Sequence, residues 1–228
     1  MIDLGGLFQQ ISVMALPLVF AITLHEAAHG YVANTLGDDT AKRLGRLSLN
    51  PLRHIDPFGT LILPAMLMVM GNFLFGWAKP VPVNVSRLRS PRWGMVAVAA
   101  AGPMANIVMA ALAILAIRYV TLLPHAVVDW ARLNFANAIY INLLLAVFNM
   151  LPIPPLDGGR VLVGVLPRPL AMQVARLENY GVLILLGVLV VLPLLGQAVG
   201  VAFDPFDMVI QPAMNLLLEG LIAVFGDV

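Results

Sequence analysis

A chain of 228 residues that is 61% hydrophobic and 11% charged, with a mean hydropathy of +0.93, is too apolar for an ordinary soluble domain. A net charge of +1 with no basic stripe excludes a nucleic-acid partner, and the absence of cysteine excludes disulfides and thiolate metal ligands. What remains is an all-α polytopic membrane protein, with about five to six membrane-embedded helices of roughly 20 apolar residues each.

The first apolar stretch runs from Leu7 to Leu36. No Lys or Arg precedes it, so the basic start of a cleaved signal peptide is missing and the stretch reads as a retained helix. It contains His25-Glu26-Ala27-Ala28-His29. Residues four apart share a helix face, so both imidazoles can point at one ion. Glu26, one position on, can act on a water at that ion without being a ligand. Three ionisable groups within one apolar helix need a purpose, since a carboxylate at the bilayer centre costs about 2.5–3.5 kcal/mol.

A loop with Lys42, Arg43, Arg46 and Arg53 follows, in which His54 reads as part of an interfacial turn. Next come the apolar stretch Phe58 to Phe75, broken by Pro64 and Gly71, and a second basic loop with Lys79, Arg87, Arg89 and Arg92. Cationic loops favour the cytoplasmic side. If Phe58 to Phe75 is re-entrant, both loops share one face with Arg160, Arg168 and Arg176, and only Arg118 and Arg132 lie opposite. A full crossing would separate the two loops, so the dip is expected. The active site then faces the cytoplasm, in what we expect to be the cytoplasmic membrane of a prokaryote. The start of the chain and the acidic tail (Asp204, Asp207, Glu219, Asp227) face outward.

Alternating Val and Pro between Gly76 and Asn84 suit an extended or β-hairpin segment near 76–85. An unwound substrate could pair with its free edge, which makes Val81, Val83 and Val85 candidate substrate-binding residues. The stretch Trp93 to Ile117 carries Gly102 and Asn106, four apart, where small residues let helices approach closely. His125, beside Pro124, reads as a surface loop residue, and the 12 methionines as adaptable packing.

Phe135 to Leu151, a little short for a span, carries Asn142 and Asn149 on one face. Both can make interhelical hydrogen bonds, and Asn149 can alternatively donate to a developing oxyanion. The helix breaks at Pro152, Pro154 and Pro155, ahead of Asp157-Gly158-Gly159. Irregular backbone at membrane depth is tolerated only beside protein or water, as in an active-site wall. A catalytic zinc usually has three protein ligands. Asp157 is a candidate for the third, with His54 as its competitor; equally, Asp157 could cap the next helix near Arg160. Tyr180 to Leu195 reads as a further span, and Phe206 to Phe225, interrupted by Pro212 and Glu219, as a span or an interfacial helix.

Two of these motifs, His25-Glu26-Ala27-Ala28-His29-Gly30 and Phe148-Asn149-Met150-Leu151-Pro152-Ile153-Pro154-Pro155-Leu156-Asp157-Gly158-Gly159-Arg160, closely resemble the site-2 protease family of intramembrane zinc metalloproteases. The likeness covers about residues 20–165. It implies one Zn2+ held by His25, His29 and Asp157, Glu26 as catalytic acid/base, and Asn149 assisting at the reacting carbonyl. Gly102-Pro103-Met104-Ala105-Asn106 looks like the family's small-residue motif, which makes Gly102 and Asn106 further candidates for substrate binding. The expected protein is a compact member without an apparent PDZ or CBS domain: one protease domain over 1–228, with a catalytic core at about 7–165 and C-terminal helices at 178–226. Its expected partners are the bilayer and a membrane-anchored protein cut in or near a transmembrane segment. The competing readings are an ion or metal transporter, which would favour paired repeats not found here, and an inactive protease-like scaffold, against which the intact His25, Glu26, His29 and Asp157 argue.

Overall fold

The computed structural model describes residues 4–54, 56–62, 66, 79–198, 200 and 204–226, and their regular elements are helices, with no strand among them. Lipid offers no partner for a backbone N–H or C=O, so an apolar chain must pair these groups within each segment. Among the described residues, five helices are long and apolar enough to cross a membrane: Ser12–Thr35, Pro91–Arg118, His125–Asn149, Arg168–Gly196 and Phe206–Phe225. We label α1 (Leu4–Thr35), α2 (Thr40–Arg43), α3 (Pro91–Arg118), α4 (His125–Asn149), α5 (Asp157–Val165), α6 (Arg168–Arg176), α7 (Gly181–Leu186), α8 (Leu192–Ala198) and α9 (Gln211–Phe225).

Helices α1, α3 and α4 pack together as the core, and α5 lies against α3. The inner face of α3 is made of small side chains, among them Gly94, Ala99, Gly102 and Ala110, while Met104, Val108 and Leu112 point outward. This inverts a soluble helix, because lipid solvates large apolar groups as well as a core does and close backbone approach decides the interface. Ile210 and Met214 join Ala110, Leu143 and Val147 in a buried cluster that fastens the C-terminal helix to α3 and α4. Arg118 Nη1 donates to Phe225 O at 3.1 Å, which brings the end of α9 to the end of α3. The basic loops gather at the other end of α3, where Arg89 N donates to Leu36 O at 2.9 Å.

Helix α4 starts at His125, ten residues before the apolar run at Phe135. Its early polar residues Asp129 and Arg132 are exposed, Trp130 Nε1 donates to Ser12 Oγ, and Asn137 Nδ2 donates to Val13 O. Polar side chains that read as loop thus sit on wet turns of a helix or pin it to α1. His125 is exposed as expected, on the first turn of that helix instead of in a loop. The expected dip at 58–75 falls mostly outside the described residues; Pro57–Ile62 forms a wide helical turn. Residues 79–84 are neither helix nor strand, with Asn84 in extended backbone, and have no strand partner among the described residues; 76–78 lie outside them.

Candidate metal centre

One helical turn apart on α1, His25 and His29 are buried against α3. Asp157 is the first residue of α5, with Leu156 in the capping position, so its carboxylate is free of the capping role considered above. The two Nε2 atoms lie 3.1 Å apart, and Asp157 Oδ2 lies 3.2 Å from that of His25 and 3.3 Å from that of His29. The rings meet edge to face at 87°.

Main-chain carbonyls can only accept hydrogen bonds, and this fixes where the ring hydrogens sit. Val98 O is 2.7 Å from His29 Nδ1, so that nitrogen donates. Asn142 Nδ2 donates to Ala138 O at 2.8 Å, which leaves Asn142 Oδ1 to accept from Asn106 Nδ2, also at 2.8 Å. Asn106 Oδ1 therefore faces His25 Nδ1, at 2.6 Å, and His25 must donate there. In the neutral imidazoles, with hydrogen on Nδ1, both Nε2 atoms present bare lone pairs.

In that form two lone pairs and a carboxylate oxygen converge with no proton among them. Asp157 Oδ2 is buried without a hydrogen-bond donor. Such an arrangement is costly unless a cation joins it. The separations agree with about 3.3–3.4 Å expected between ligand atoms on a tetrahedral zinc at roughly 2.0–2.1 Å. His25, His29 and Asp157 could therefore hold a metal ion, and no other such group of ligating side chains occurs among the described residues.

The surroundings are shaped to admit this cluster. A Cβ on Gly102 would sit 2.5 Å from His29 Nε2 and 2.6 Å from His25 Cε1, so only glycine lets α3 come this close. A Cβ on Gly158 would strike the carbonyls of Met150 and Leu151, where the proline-rich turn folds back over the start of α5. At the far end of α5, Arg92 donates to Gly164 O at 2.6 Å, Val165 O at 3.0 Å and Leu166 O at 2.7 Å, satisfying terminal carbonyls that the helix leaves open. Arg160 stands 4.0 Å from Asp157 Oδ1 and 3.6 Å from Glu178 Oε1, beyond direct hydrogen bonding.

Glu26 is half-buried, and its Oε2 accepts the Val81 N–H at 2.8 Å. Val81, Val83 and Val85 line a groove of about 690 Å³ together with Gly159, Val163 and Ala171. Gly102 and Asn106, expected near substrate, make their contacts with the histidine pair. Asn149 ends α4 half-buried, with Nδ2 turned back to Leu145 O at 3.0 Å and no bond to the histidines or Asp157. His54 lies apart from the cluster, its Nε2 on Ser48 O at 2.8 Å. Sequence reasoning had no means to see the Val98 carbonyl, and it took Asn142 for packing alone.

Helices of membrane length around a buried His–His–Asp cluster, with a glutamate beside the first histidine, define an integral membrane metalloprotein of the H-E-x-x-H kind. The chain belongs to Peptidase family M50, the site-2 protease family, whose pattern matches residues 125–192. It is 39% identical over 189 residues to YwhC of Bacillus subtilis (strain 168), named as a candidate zinc metalloprotease, covering 79% of this chain and 81% of that protein. Two mycobacterial proteins called Rip2 carry the same description. That of Mycolicibacterium smegmatis is 32% identical over 180 residues (78% of this chain, 66% of that one), and that of Mycobacterium tuberculosis strain H37Rv is 30% identical over 188 (82% and 70%). No solved structure matches the chain. Zinc is the metal that the relatives' names give, and the nitrogen and oxygen donor set suits it.

Proposed function

We propose that this protein is a zinc-dependent intramembrane endopeptidase, hydrolysing peptide bonds in or near transmembrane segments of membrane-anchored proteins. The observation that carries the reading is the buried convergence of two histidine Nε2 atoms and a carboxylate oxygen at 3.1–3.3 Å, one residue from Glu26. His25, His29 and Asp157 hold the zinc, which when bound polarises a carbonyl and makes water acidic enough to attack near neutral pH. Glu26 is the general base. Its Oε2 is engaged by Val81 N–H, and Oε1, without a hydrogen-bond partner among the described residues, takes the proton from the attacking water. The same oxygen returns a proton to the departing amine, so the carboxylate is regenerated each cycle.

Asn149 supplies a hydrogen bond to the developing oxyanion. Its amide has two hydrogens and Leu145 O uses one, leaving the second for a substrate carbonyl. A transmembrane substrate must unwind locally before a peptide bond is reachable. The edge of residues 81–85 then receives it by strand addition along the groove, with Val83 N–H as the donor not otherwise engaged among the described residues. Clustered cations at the end of α1 and the start of α3 support a site opening toward the cytoplasm.

The test is reconstitution with a model transmembrane substrate, comparing wild type and Glu26→Gln with zinc measured in both. Cleavage by wild type alone, at equal zinc, is expected. Equal cleavage by both would remove Glu26 from the mechanism.

A further inference from the structure

The segment that supplies the Val81 N–H has neither helix nor ladder to hold it, yet its fixing points can be named. At one end, Lys79 N donates to His54 O at 2.8 Å, and Arg46 Nη2 donates to Lys79 O at 3.0 Å and Pro80 O at 3.4 Å. At the other, Asn84 N donates to Asp38 Oδ2 at 2.6 Å. Asp38 has a relative exposure of 0%, lower than either histidine of the metal cluster.

Asp38 lies where α1 turns out of its helix. Its own N–H donates to Ala33 O at 2.9 Å, and Gly37 takes φ +109°, a left-handed conformation that lets the chain reverse. Oδ1 accepts from Thr40 N at 3.0 Å and closely from the Thr40 hydroxyl. Those two bonds complete the turn into α2. The bond from Asn84, 46 residues away in sequence, is not needed by that turn. A buried carboxylate is tolerated only when donors surround it, so Asn84 cannot leave without stranding a charge.

From this we infer that Asp38 is a positioning residue for the catalytic base: by holding Asn84 it fixes Pro80–Asn84 so that the Val81 N–H meets Glu26 Oε2. Pro80 and Pro82 flank Val81 and fix φ on either side of it. With Lys79 held at one end and Asn84 at the other, Val81 has little freedom to aim its N–H elsewhere. Asp38 itself touches neither the metal cluster nor substrate. The inference rests on Glu26 as the base.

Amide hydrogen exchange and steady-state kinetics on the full chain test it, with zinc counted per molecule. Asp38→Asn keeps the size but puts an NH2 group where only acceptors fit. It is expected to speed exchange at Val81 and Asn84 roughly tenfold or more, and to lower kcat on the model transmembrane substrate about tenfold. Zinc content and exchange within α1 stay at wild-type levels. Asn84→Pro deletes the same bond from the segment's side with Asp38 intact, and is expected to reproduce the Val81 exchange and the kcat loss even if Asp38→Asn fails to fold. Wild-type exchange at Val81, or wild-type kcat, in a folded variant of either kind overturns the inference. A fully active Glu26→Gln would instead refute the base assignment, while the exchange data still report on Asp38 alone.

Discussion

Around the metal cluster, rigid helices do the positioning: His25 and His29 share a face of α1 because a helix repeats every 3.6 residues, and α3 is held close by Gly102. Residues 79–84 lie next to that cluster and have no repeating structure at all. Isolated hydrogen bonds, to Asp38, Glu26 and His54 O and from Arg46, hold them. The contrast teaches which parts must be stiff. Metal ligands have to be fixed at rest, whereas residues 79–84, proposed above to receive an unwound peptide, need an edge left free and are held from elsewhere in the chain.

If that division is right, damage to the helices should empty the metal site, and damage to the pins should leave it full. The largest effect is expected from Gly102→Val, whose added carbons fall on both imidazoles. Zinc content should drop from about one per chain toward none, as it should for His29→Ala, since a site of three ligands reduced to two no longer holds the ion. A loaded Gly102→Val protein would show that α3 yields more than the packing implies. Asn106→Ala should be milder, weakening zinc binding by roughly 10–100-fold in competition with a chelator, because the ligands remain while the His25 hydrogen loses its acceptor and Asn142 Oδ1 its donor.

The same contrast explains what could be read from the sequence. Apolar runs mark most helices, and the H-E-x-x-H spacing places two candidate ligands without any knowledge of the fold. Asp157 could be proposed, but its neighbours fit a helix cap equally well, and only the folded turn over Gly158 shows that its carboxylate meets the imidazoles. Asn106 was legible as a small polar residue on an interface, not as the partner of His25, because that bond spans 81 positions. Asp38 was not legible at all. An aspartate beside Gly37 and Thr40 reads as turn chemistry, and its bond to a backbone N–H far along the chain leaves no side-chain pattern. The early turns of α4 were missed for the opposite reason, since polar residues near the end of a span can be helical and wet.

Arg92 sharpens the comparison from the side of α5. It is a pin like Asp38, but it holds the helix that bears Asp157 instead of the extended segment. Arg92→Gln should strand terminal carbonyls of α5 and reduce thermal stability by about 1–3 kcal/mol. Zinc affinity should fall only a few-fold, because Asp157 sits at the opposite end of the helix. A zinc loss as large as that of Gly102→Val would place Arg92 with the metal site and not with the pins.

The smallest expected effect is that of mild acid on the extended segment. Burial pushes the Asp38 carboxyl up, but the donors Thr40 Oγ1, Asn84 N and Thr40 N, with the charge of Arg87, outweigh it and hold the group below its ordinary value of 3.8. A carboxyl lowered by folding contributes stability that is fully present above its unfolded value and is lost as pH falls through the folded one. Between pH 8 and 5 the Asp38–Asn84 bond should therefore not change. The metal cluster should respond over the same interval, because protons compete with zinc for the imidazoles. Exchange at Asn84, corrected for the intrinsic pH dependence of amides, should stay flat while zinc is released toward pH 5. If exchange at Asn84 rises in step with zinc loss, the segment depends on the metal site and not on Asp38, and the division between the two regions fails.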